Sequence, residues 1–232
     1  MVVWCATGNK HKKKELADIL FENIPSGKSA AWEIKIPSEA GIEFDPEENG
    51  SSFSENALIK ARELYNLLEK NRPSLYTQGD PIIADDSGIC VDALGGRPGI
   101  FSARYSGPNN GKSKESASGN EKKLESAERN ALLLEELGDN TNRKARFVCA
   151  LVLFYSPDRF FIVQETLEGE LVKNAEEAKG KGGFGYDPIL YIPSLGRTVA
   201  ELTDEEKNQW SHRGKAGKAL ASFLFGKMLT HK

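Results

Sequence analysis

The stretch IIADDSGICVDAL, residues 82–94, decides how the rest of the chain is interpreted. Its first three residues are apolar and predict a short buried strand, Ile82–Ala84. The strand then ends in two adjacent carboxylates, Asp85 and Asp86. Because side chains alternate across a strand, we expect the two aspartates to point in different directions. The sequence DDSG is also a good turn, so the acids mark either a polar site at a strand tip or a simple turn.

Strand and helix patterns alternate on both sides of this stretch, with a predicted hairpin at Ser-Pro-Asp, residues 156–158. This order predicts the α/β class, with a mixed β-sheet flanked by helices. The other predicted strands are Val2–Ala6, Trp32–Ile36, Arg146–Tyr155 and Phe160–Thr166; the predicted helices are Lys10–Phe21, one capped at Ser52 that reaches Leu68, one that Gly138 closes after Leu137, one capped at Thr203, and one from about Ser211 to Leu229.

Length, charge and cysteine content exclude several classes of protein. The 232 residues are predicted to form a single domain, residues 1–232, with two lobes and no linker. A formal net charge of -3 argues against a nucleic-acid partner or an acidic membrane surface. The longest apolar run, residues 147–155, is too short to span a bilayer, and the N-terminus lacks the order of a signal peptide. Three cysteines without a C-x-x-C pair favour free thiols and a cytoplasmic protein.

Cations stand at the starts of two predicted helices, where the helix dipole disfavours them. The first follows the turn Thr7-Gly8-Asn9 and begins Lys10-His11-Lys12-Lys13-Lys14; the last begins with His212 and Arg213 after Ser211. A helix N-terminus with lysines predicts a phosphate site, although a solvated basic face is the alternative. The G-x-x-x-x-G-K-[ST] pattern of a nucleotide-binding P-loop is absent.

The acidic residues suggest a metal site. Carboxylate oxygens suit Mg²⁺, which usually keeps water and substrate phosphates among its ligands. Asp85 and Asp86 are the candidate ligands, and Glu48, just before the second helix, supplies a third. Acids before a helix also serve its dipole, so Glu48 has an ordinary alternative role.

A glycine-rich segment, GKGGFGYDP, residues 180–188, formally matches the dinucleotide-binding pattern G-x-G-x-x-G. No helix pattern follows it and a proline does, so a dinucleotide-binding turn is rejected. We name residues 180–188 the glycine loop and expect its backbone to approach a ligand. Phe184 would stack on a base and Asp187 would accept from ring N–H groups. Lys60 lies on a different face of the predicted second helix from the apolar residues Ala57, Ala61 and Leu64. Taken alone, it is interpreted as a solvated lysine.

These segments together resemble the inosine/xanthosine triphosphate pyrophosphatase family. The matching motifs are TGNKHK (7–12), ENALIKAR (55–62), DDSGICVDALGGRPGIFSARYSG (85–107), GGFGYDP (182–188) and SHRG (211–214), in family order over nearly the whole chain. The resemblance implies an elongated mixed α/β fold with a central substrate cleft between two lobes. It also implies a homodimer, Mg²⁺, and conversion of ITP, dITP or XTP to the monophosphate and pyrophosphate.

The resemblance also implies a role for each matching residue. Asp86 is the implied general base and metal ligand, with Glu48 and Asp85 as further metal ligands. The implied substrate-binding residues are Thr7, Gly8, Asn9, Lys12 and Lys60 for the triphosphate, Phe184, Gly185, Tyr186, Asp187, Lys207, His212 and Arg213 around the base, and Lys10, His11 and Ser87 as further substrate contacts.

Three segments look longer than the family pattern: residues 71–80, 107–120 and 168–181. The third precedes the glycine loop and bears on how Phe184 is presented, so base preference depends on it most. Two other functions stay open at this point. One is a pyrophosphatase for modified pyrimidine nucleotides, which the FGYD and SHR motifs disfavour. The other is a catalytically silent nucleotide sensor, which the presence of both aspartates and the lysines disfavours.

Overall fold

The computed structural model describes residues 1–22, 32–71, 74–108 and 124–229. Seven strands form one sheet in the order β2-β1-β3-β4-β5-β6-β7. The strands are β1 (Val2–Cys5), β2 (Glu33–Lys35), β3 (Ile82–Val91), β4 (Lys144–Ser156), β5 (Arg159–Leu171), β6 (Leu190–Ile192) and β7 (Arg197–Thr198). The helices are α1 (Lys10–Glu22), α2 (Phe53–Asn71), α3 (Ser126–Leu137), α4 (Asp204–Trp210) and α5 (His212–Leu229).

The sheet is mixed, as predicted. β1 pairs in parallel with β2 and β3, whereas β6 pairs antiparallel with both β5 and β7. Contacts divide the chain into two compact units, each built from separate segments. The first unit comprises Met1–Asp86, Cys149–Glu165 and Asn208–Lys232, and the second comprises Ser87–Val148 and Thr166–Lys207.

The core of the first unit lies between the sheet and the pair α1 and α5. Its buried side chains include Val3 and Ile83 from the strands and Leu16 and Leu220 from the helices. The two helices approach closely at Gly217, where a Cβ atom would lie 2.8 Å from the Ile19 side chain. This close approach holds the first turns of α1 and α5, where the predicted site residues lie, in a fixed relation.

The second unit has its own core, in which α3 packs through Leu133, Leu134 and Leu137. Gly138 ends α3 with a positive φ of 51°, as the sequence predicted. β5 is longer than its predicted extent and includes the first residues of the segment 168–181. Of the other long segments, residues 72–73 and 109–120 lie outside the described residues.

The predicted end of β3 is wrong. The strand does not stop at Ala84 but continues to Val91, so Asp85 and Asp86 lie inside a ten-residue strand rather than at its tip or in a turn. Nine of its ten residues are buried, among them both aspartates. Charged side chains are tolerated in a buried strand only when they are paired. The partners of Asp85 and Asp86 therefore decide what this region can do.

None of the helices in the described ranges has the length and hydropathy needed to cross a membrane.

Candidate active site

Asp85 is the centre of a buried charge network in the first unit. Its side chain is fully shielded from solvent and accepts a hydrogen bond from the Lys12 ammonium. Its second oxygen accepts from Arg213 Nε at 3.0 Å and from Cys149 Sγ at 3.1 Å. Arg213 also donates from a terminal nitrogen to Glu15, at 2.6 Å. Burial alone would raise the pKa of Asp85, but the Arg213 and Lys12 charges outweigh it and hold that pKa well below its ordinary value.

Asp86 belongs to a second cluster, as expected for the next residue of a strand. Lys60 Nζ donates to Asp86 at 2.9 Å and to Glu48 at 3.2 Å, and Asn56 Nδ2 lies 3.4 Å from the other Asp86 oxygen. Burial raises the pKa of Asp86 above its ordinary value, and the neighbouring Lys60 charge only partly offsets it. A carboxylate with a raised pKa is a better proton acceptor, which is the property that a general base needs.

The solvated interpretation of Lys60 is wrong. Its side chain is 8% exposed, because α2 turns it toward Asp86 and not toward solvent. Burial lowers the pKa of Lys60, but Asp86 and Glu48 raise it further, so the net shift is upward and the ammonium stays charged.

The three predicted metal ligands do not form one preassembled group. Within the described ranges, no three His, Cys, Asp or Glu side chains are arranged to hold a metal ion. Glu48 and Asp86 do converge, because both contact the same Lys60 ammonium. Two hard oxygen donors that face one cation fit Mg²⁺. Asp85 is occupied by Lys12, Arg213 and Cys149 instead.

The Thr7-Gly8-Asn9 turn caps α1. Asn9 Oδ1 accepts from the backbone N–H groups of His11, at 2.9 Å, and Lys12, at 3.4 Å, while Thr7 Oγ1 accepts from Asn9 N at 3.1 Å. Asn9 therefore already bonds two of the backbone N–H groups at the start of α1, and the phosphate site there stays a prediction. The side chains of Lys10 and His11 are exposed.

The helix-start cations have partners that the sequence analysis did not assign. Lys12 bonds Asp85, Lys13 bonds Glu39 at 2.6 Å, and Lys14 bonds Asp18 at 3.0 Å. These carboxylates offset the unfavourable dipole interaction before any anion is bound.

The first turn of α5 is buried. Ser211 Oγ accepts from Gly214 N at 2.9 Å and caps the helix as predicted. His212 is 7% exposed and Arg213 is 3% exposed. The resemblance places Arg213 around a base, but the structure places its guanidinium against Asp85 and Glu15.

The second unit brings three predicted residues of the base site together. Asp187 Oδ2 accepts from Lys207 Nζ and from Phe184 N, both at 2.9 Å. Lys207 Nζ also lies 5.5 Å from the centre of the Phe184 ring, within the range of a cation–π interaction. Gly183, with φ of 72°, has no room for a side chain, because a Cβ atom there would collide with the Asp187 carboxylate. The glycine loop is therefore built around one buried ion pair.

The predicted substrate-binding residues Tyr186 and Ser87 differ in burial. Tyr186 is 4% exposed, and its hydroxyl donates to the Ser102 carbonyl at 2.9 Å. Burial raises the pKa of Tyr186, so the hydroxyl stays protonated as a donor to the scaffold. Ser87 is half-buried on β3, directly after Asp86.

The sequence analysis missed Glu15, Asn56 and Cys149. Helical spacing could have found two of them, since Glu15 is three residues after Lys12 on α1 and Asn56 is four before Lys60 on α2. Nothing local marks Cys149, whose bond to Asp85 depends on the register of β4 beside β3.

The fold and these clusters define an α/β protein in which the buried cations Lys60, Lys207 and Arg213 each bind buried or half-buried carboxylates. The Ham1 family model matches residues 3–223, and the chain belongs to that family. It is 42% identical over 226 residues to a dITP/XTP pyrophosphatase of Treponema denticola, covering 97% of this chain and 100% of that protein.

Solved structures of similar proteins include matches over nearly the whole length of the chain. The Ham1 protein of Staphylococcus aureus has a TM-score of 0.74 and 34% identity, covering 98% of this chain and 100% of that one. A HAM1 protein from Coxiella burnetii has a TM-score of 0.74 and 35% identity, covering 97% of this chain and 99% of that one.

Proposed function

We propose that this protein hydrolyses non-standard purine nucleoside triphosphates, namely dITP, XTP and ITP, to the monophosphate and pyrophosphate, with Mg²⁺ as cofactor. The observation that carries the proposal is the cluster in which Glu48 and Asp86 converge on the buried Lys60 ammonium. The name dITP/XTP pyrophosphatase, which the Treponema denticola relative bears, supports the substrate class. A homodimer and a cytoplasmic location are further expectations of the resemblance.

The proposed reaction breaks the α–β phosphoanhydride bond by adding water across it. Mg²⁺, when bound, would neutralise phosphate charge and make a water molecule more acidic. Asp86 would orient the attacking water and accept its proton, for which its raised pKa suits it. Lys60 and Lys12 would offset the charge of the triphosphate, since phosphoryl transfer depends on positioning and charge stabilisation more than on covalent help.

Base selection in this proposal rests on hydrogen bonding. Hypoxanthine and xanthine present a 6-oxo acceptor, where adenine presents an amino donor. A donor such as Lys207 or a backbone N–H of the glycine loop would match the first and be left unmatched by the second. Sites built on such bonds discriminate strongly. Phe184 would stack on the base from one side.

Product analysis tests the proposal directly. The protein is incubated with Mg²⁺ and, separately, dITP, XTP, ITP, ATP and GTP, and the products are separated by ion-exchange chromatography. Monophosphate plus pyrophosphate from the first three, with little turnover of ATP and GTP, supports it. Diphosphate plus phosphate means that another bond is cut and refutes it. Tight dITP binding without turnover points to a nucleotide sensor.

Removing divalent metal with EDTA is expected to abolish turnover, and adding excess Mg²⁺ is expected to restore it. The reason is that Lys60 already pairs with Glu48 and Asp86, and Lys12 with Asp85, so these two lysines cannot also fully neutralise a triphosphate. Initial rates against free Mg²⁺ measure this dependence. Full activity in EDTA would contradict it.

Phe184→Ala is expected to raise KM for dITP, because base–aromatic stacking contributes about 1–3 kcal/mol per base. The effect on kcat should be smaller, since the ring contacts the base and not the reacting phosphates. Steady-state kinetics measure both constants. Phe160→Ala is the matched control, because Phe160 is a 41% exposed phenylalanine that belongs to no proposed site. Equal KM values for the two variants would remove Phe184 from the base site.

A further inference from the structure

Asn130 connects α3 to the glycine loop. Its Nδ2 donates to the Gly185 carbonyl at 3.2 Å, across 55 residues of sequence. Gly185 lies between Phe184 and Tyr186 and has a left-handed φ of 65°, a conformation that glycine adopts without strain. The donated bond therefore fixes the orientation of the peptide group that joins Gly185 to Tyr186.

The carboxamide of Asn130 is a poor choice for packing alone. Asn130 is 8% exposed and belongs to the same helix as the core residues Leu133, Leu134 and Leu137. Its Oδ1 is buried and has no hydrogen-bond partner within the described part of the chain. A buried acceptor without a partner lowers stability, whereas a leucine would add apolar contact. What the asparagine adds over a leucine is the bond to the loop.

The other anchors of the loop hold different groups. Tyr186 is held by the Ser102 carbonyl, and Asp187 is held by Lys207 and by Phe184 N. None of these bonds reaches the Gly185 carbonyl. The Asn130 carboxamide does so, and it is anchored in the core through α3.

We propose that Asn130 is a positioning residue for base recognition: it holds the Gly185 peptide so that Phe184 and the Asp187–Lys207 pair keep the arrangement that selects 6-oxo purines. This inference rests on the proposed function and adds to it a residue outside the base-contacting set. It acts through the loop and not on the phosphates.

Asn130→Asp tests the proposal, because it keeps the shape of the side chain and replaces the donor by an acceptor that faces the Gly185 carbonyl. We expect KM for dITP to rise about tenfold and kcat to change less than about threefold. This pattern indicates the loss of an interaction that is equally strong with the substrate and with the transition state. The preference for dITP over dATP should narrow. Inhibition by inorganic triphosphate should stay unchanged, because that ion lacks a base.

Asn142→Asp is the matched control, since it makes the same change in an exposed residue whose side-chain oxygen accepts from Lys144 N. Asn130→Ala, which removes the donor without adding charge, serves if the aspartate substitution lowers Tm below the assay temperature. An unchanged dITP KM and dITP/dATP ratio in a folded Asn130 variant overturns the proposal. So does a loss of kcat together with weaker inhibition by triphosphate.

Calorimetric binding of inosine monophosphate separates this inference from the proposed function. We expect about tenfold weaker binding to Asn130→Asp, which is about 1.4 kcal/mol, and wild-type binding to Asn142→Asp. A wild-type protein that binds inosine monophosphate but does not hydrolyse dITP overturns the proposed function and leaves the role of Asn130 in place. Equal binding by all three proteins overturns the role of Asn130, and a wild type that neither binds inosine monophosphate nor hydrolyses dITP overturns both.

Discussion

Asp86→Asn is expected to lower kcat for dITP by about 10²–10⁴-fold, the range that general acid–base catalysis contributes. The asparagine keeps the shape of the side chain and an oxygen that can accept from Lys60, so the cluster is preserved. It cannot take a proton from water, and it supplies one carboxylate fewer for Mg²⁺. Glu48 still contacts the buried Lys60 ammonium in this variant, at 3.2 Å, so that charge keeps a carboxylate partner.

The measurement is steady-state hydrolysis of dITP together with the Tm of each protein. Asp92→Asn is the matched control: Asp92 follows β3 directly, is 38% exposed at its side chain, and pairs with Arg146. It should retain wild-type kcat. A fall in kcat of less than about tenfold for Asp86→Asn, or the same fall in Asp92→Asn, would assign the base to another residue.

The pattern of apolar and capping residues predicted the five α-helices and five of the seven strands of the described residues, because it reports the burial of one face and the ends of helices. It failed where polar residues are buried. The sequence predicts an end of β3 at Ala84 because two acids ordinarily do not lie in a sheet interior. The groups that make Asp85 tolerable there, Lys12 and Arg213, lie 73 and 128 residues away in sequence. The short strands β6 and β7 carry too few residues for a period to be recognised.

In the candidate site, too, the sequence predicted some features, and others depend on contacts between residues far apart in the sequence. The family resemblance implied roles for Asp86, Lys60 and Glu48, and the structure brings all three together. The sequence motifs could not show which role each of the two adjacent aspartates has. The alternation of side chains along a strand predicted that Asp85 and Asp86 point in different directions. Only the position of β3 relative to α1 and α5 shows that Asp85 contacts Lys12 and Arg213. The turn before α1 shows a further limit: its asparagine can cap the helix itself and occupy the N–H groups that a phosphate would use.

The same substitution one residue earlier, Asp85→Asn, is expected to act on folding stability, whereas Asp86→Asn is expected to act on kcat. Asp85→Asn should lower the free energy of unfolding by about 3–5 kcal/mol, because removing one partner of a buried ion pair leaves the remaining charge uncompensated. Arg213, with a side chain that is 4% exposed, would lose Asp85 and keep its contact with Glu15, and Lys12 would lose its carboxylate. Asp85 is also the shared acceptor for both cations, so the loss should not be recovered by a rotamer change.

Urea unfolding at several pH values measures this effect and separates it from a simple packing defect. The folded pKa of Asp85 lies well below its unfolded value of about 3.9, so its stabilising contribution is complete above that value and declines as pH falls toward the folded pKa. The difference between wild type and Asp85→Asn should therefore be constant from pH 7 to about 5 and should shrink below about pH 3.9. Asp92→Asn, at an exposed pair, should change stability by less than about 1 kcal/mol at all of these pH values.

A pH-independent difference in stability between wild type and Asp85→Asn would mean that shape, and not charge, makes Asp85 necessary. A difference below about 1 kcal/mol at neutral pH would mean that solvent or other groups neutralise Lys12 and Arg213, and that Asp85 is available as the metal ligand that its position beside Asp86 first suggested.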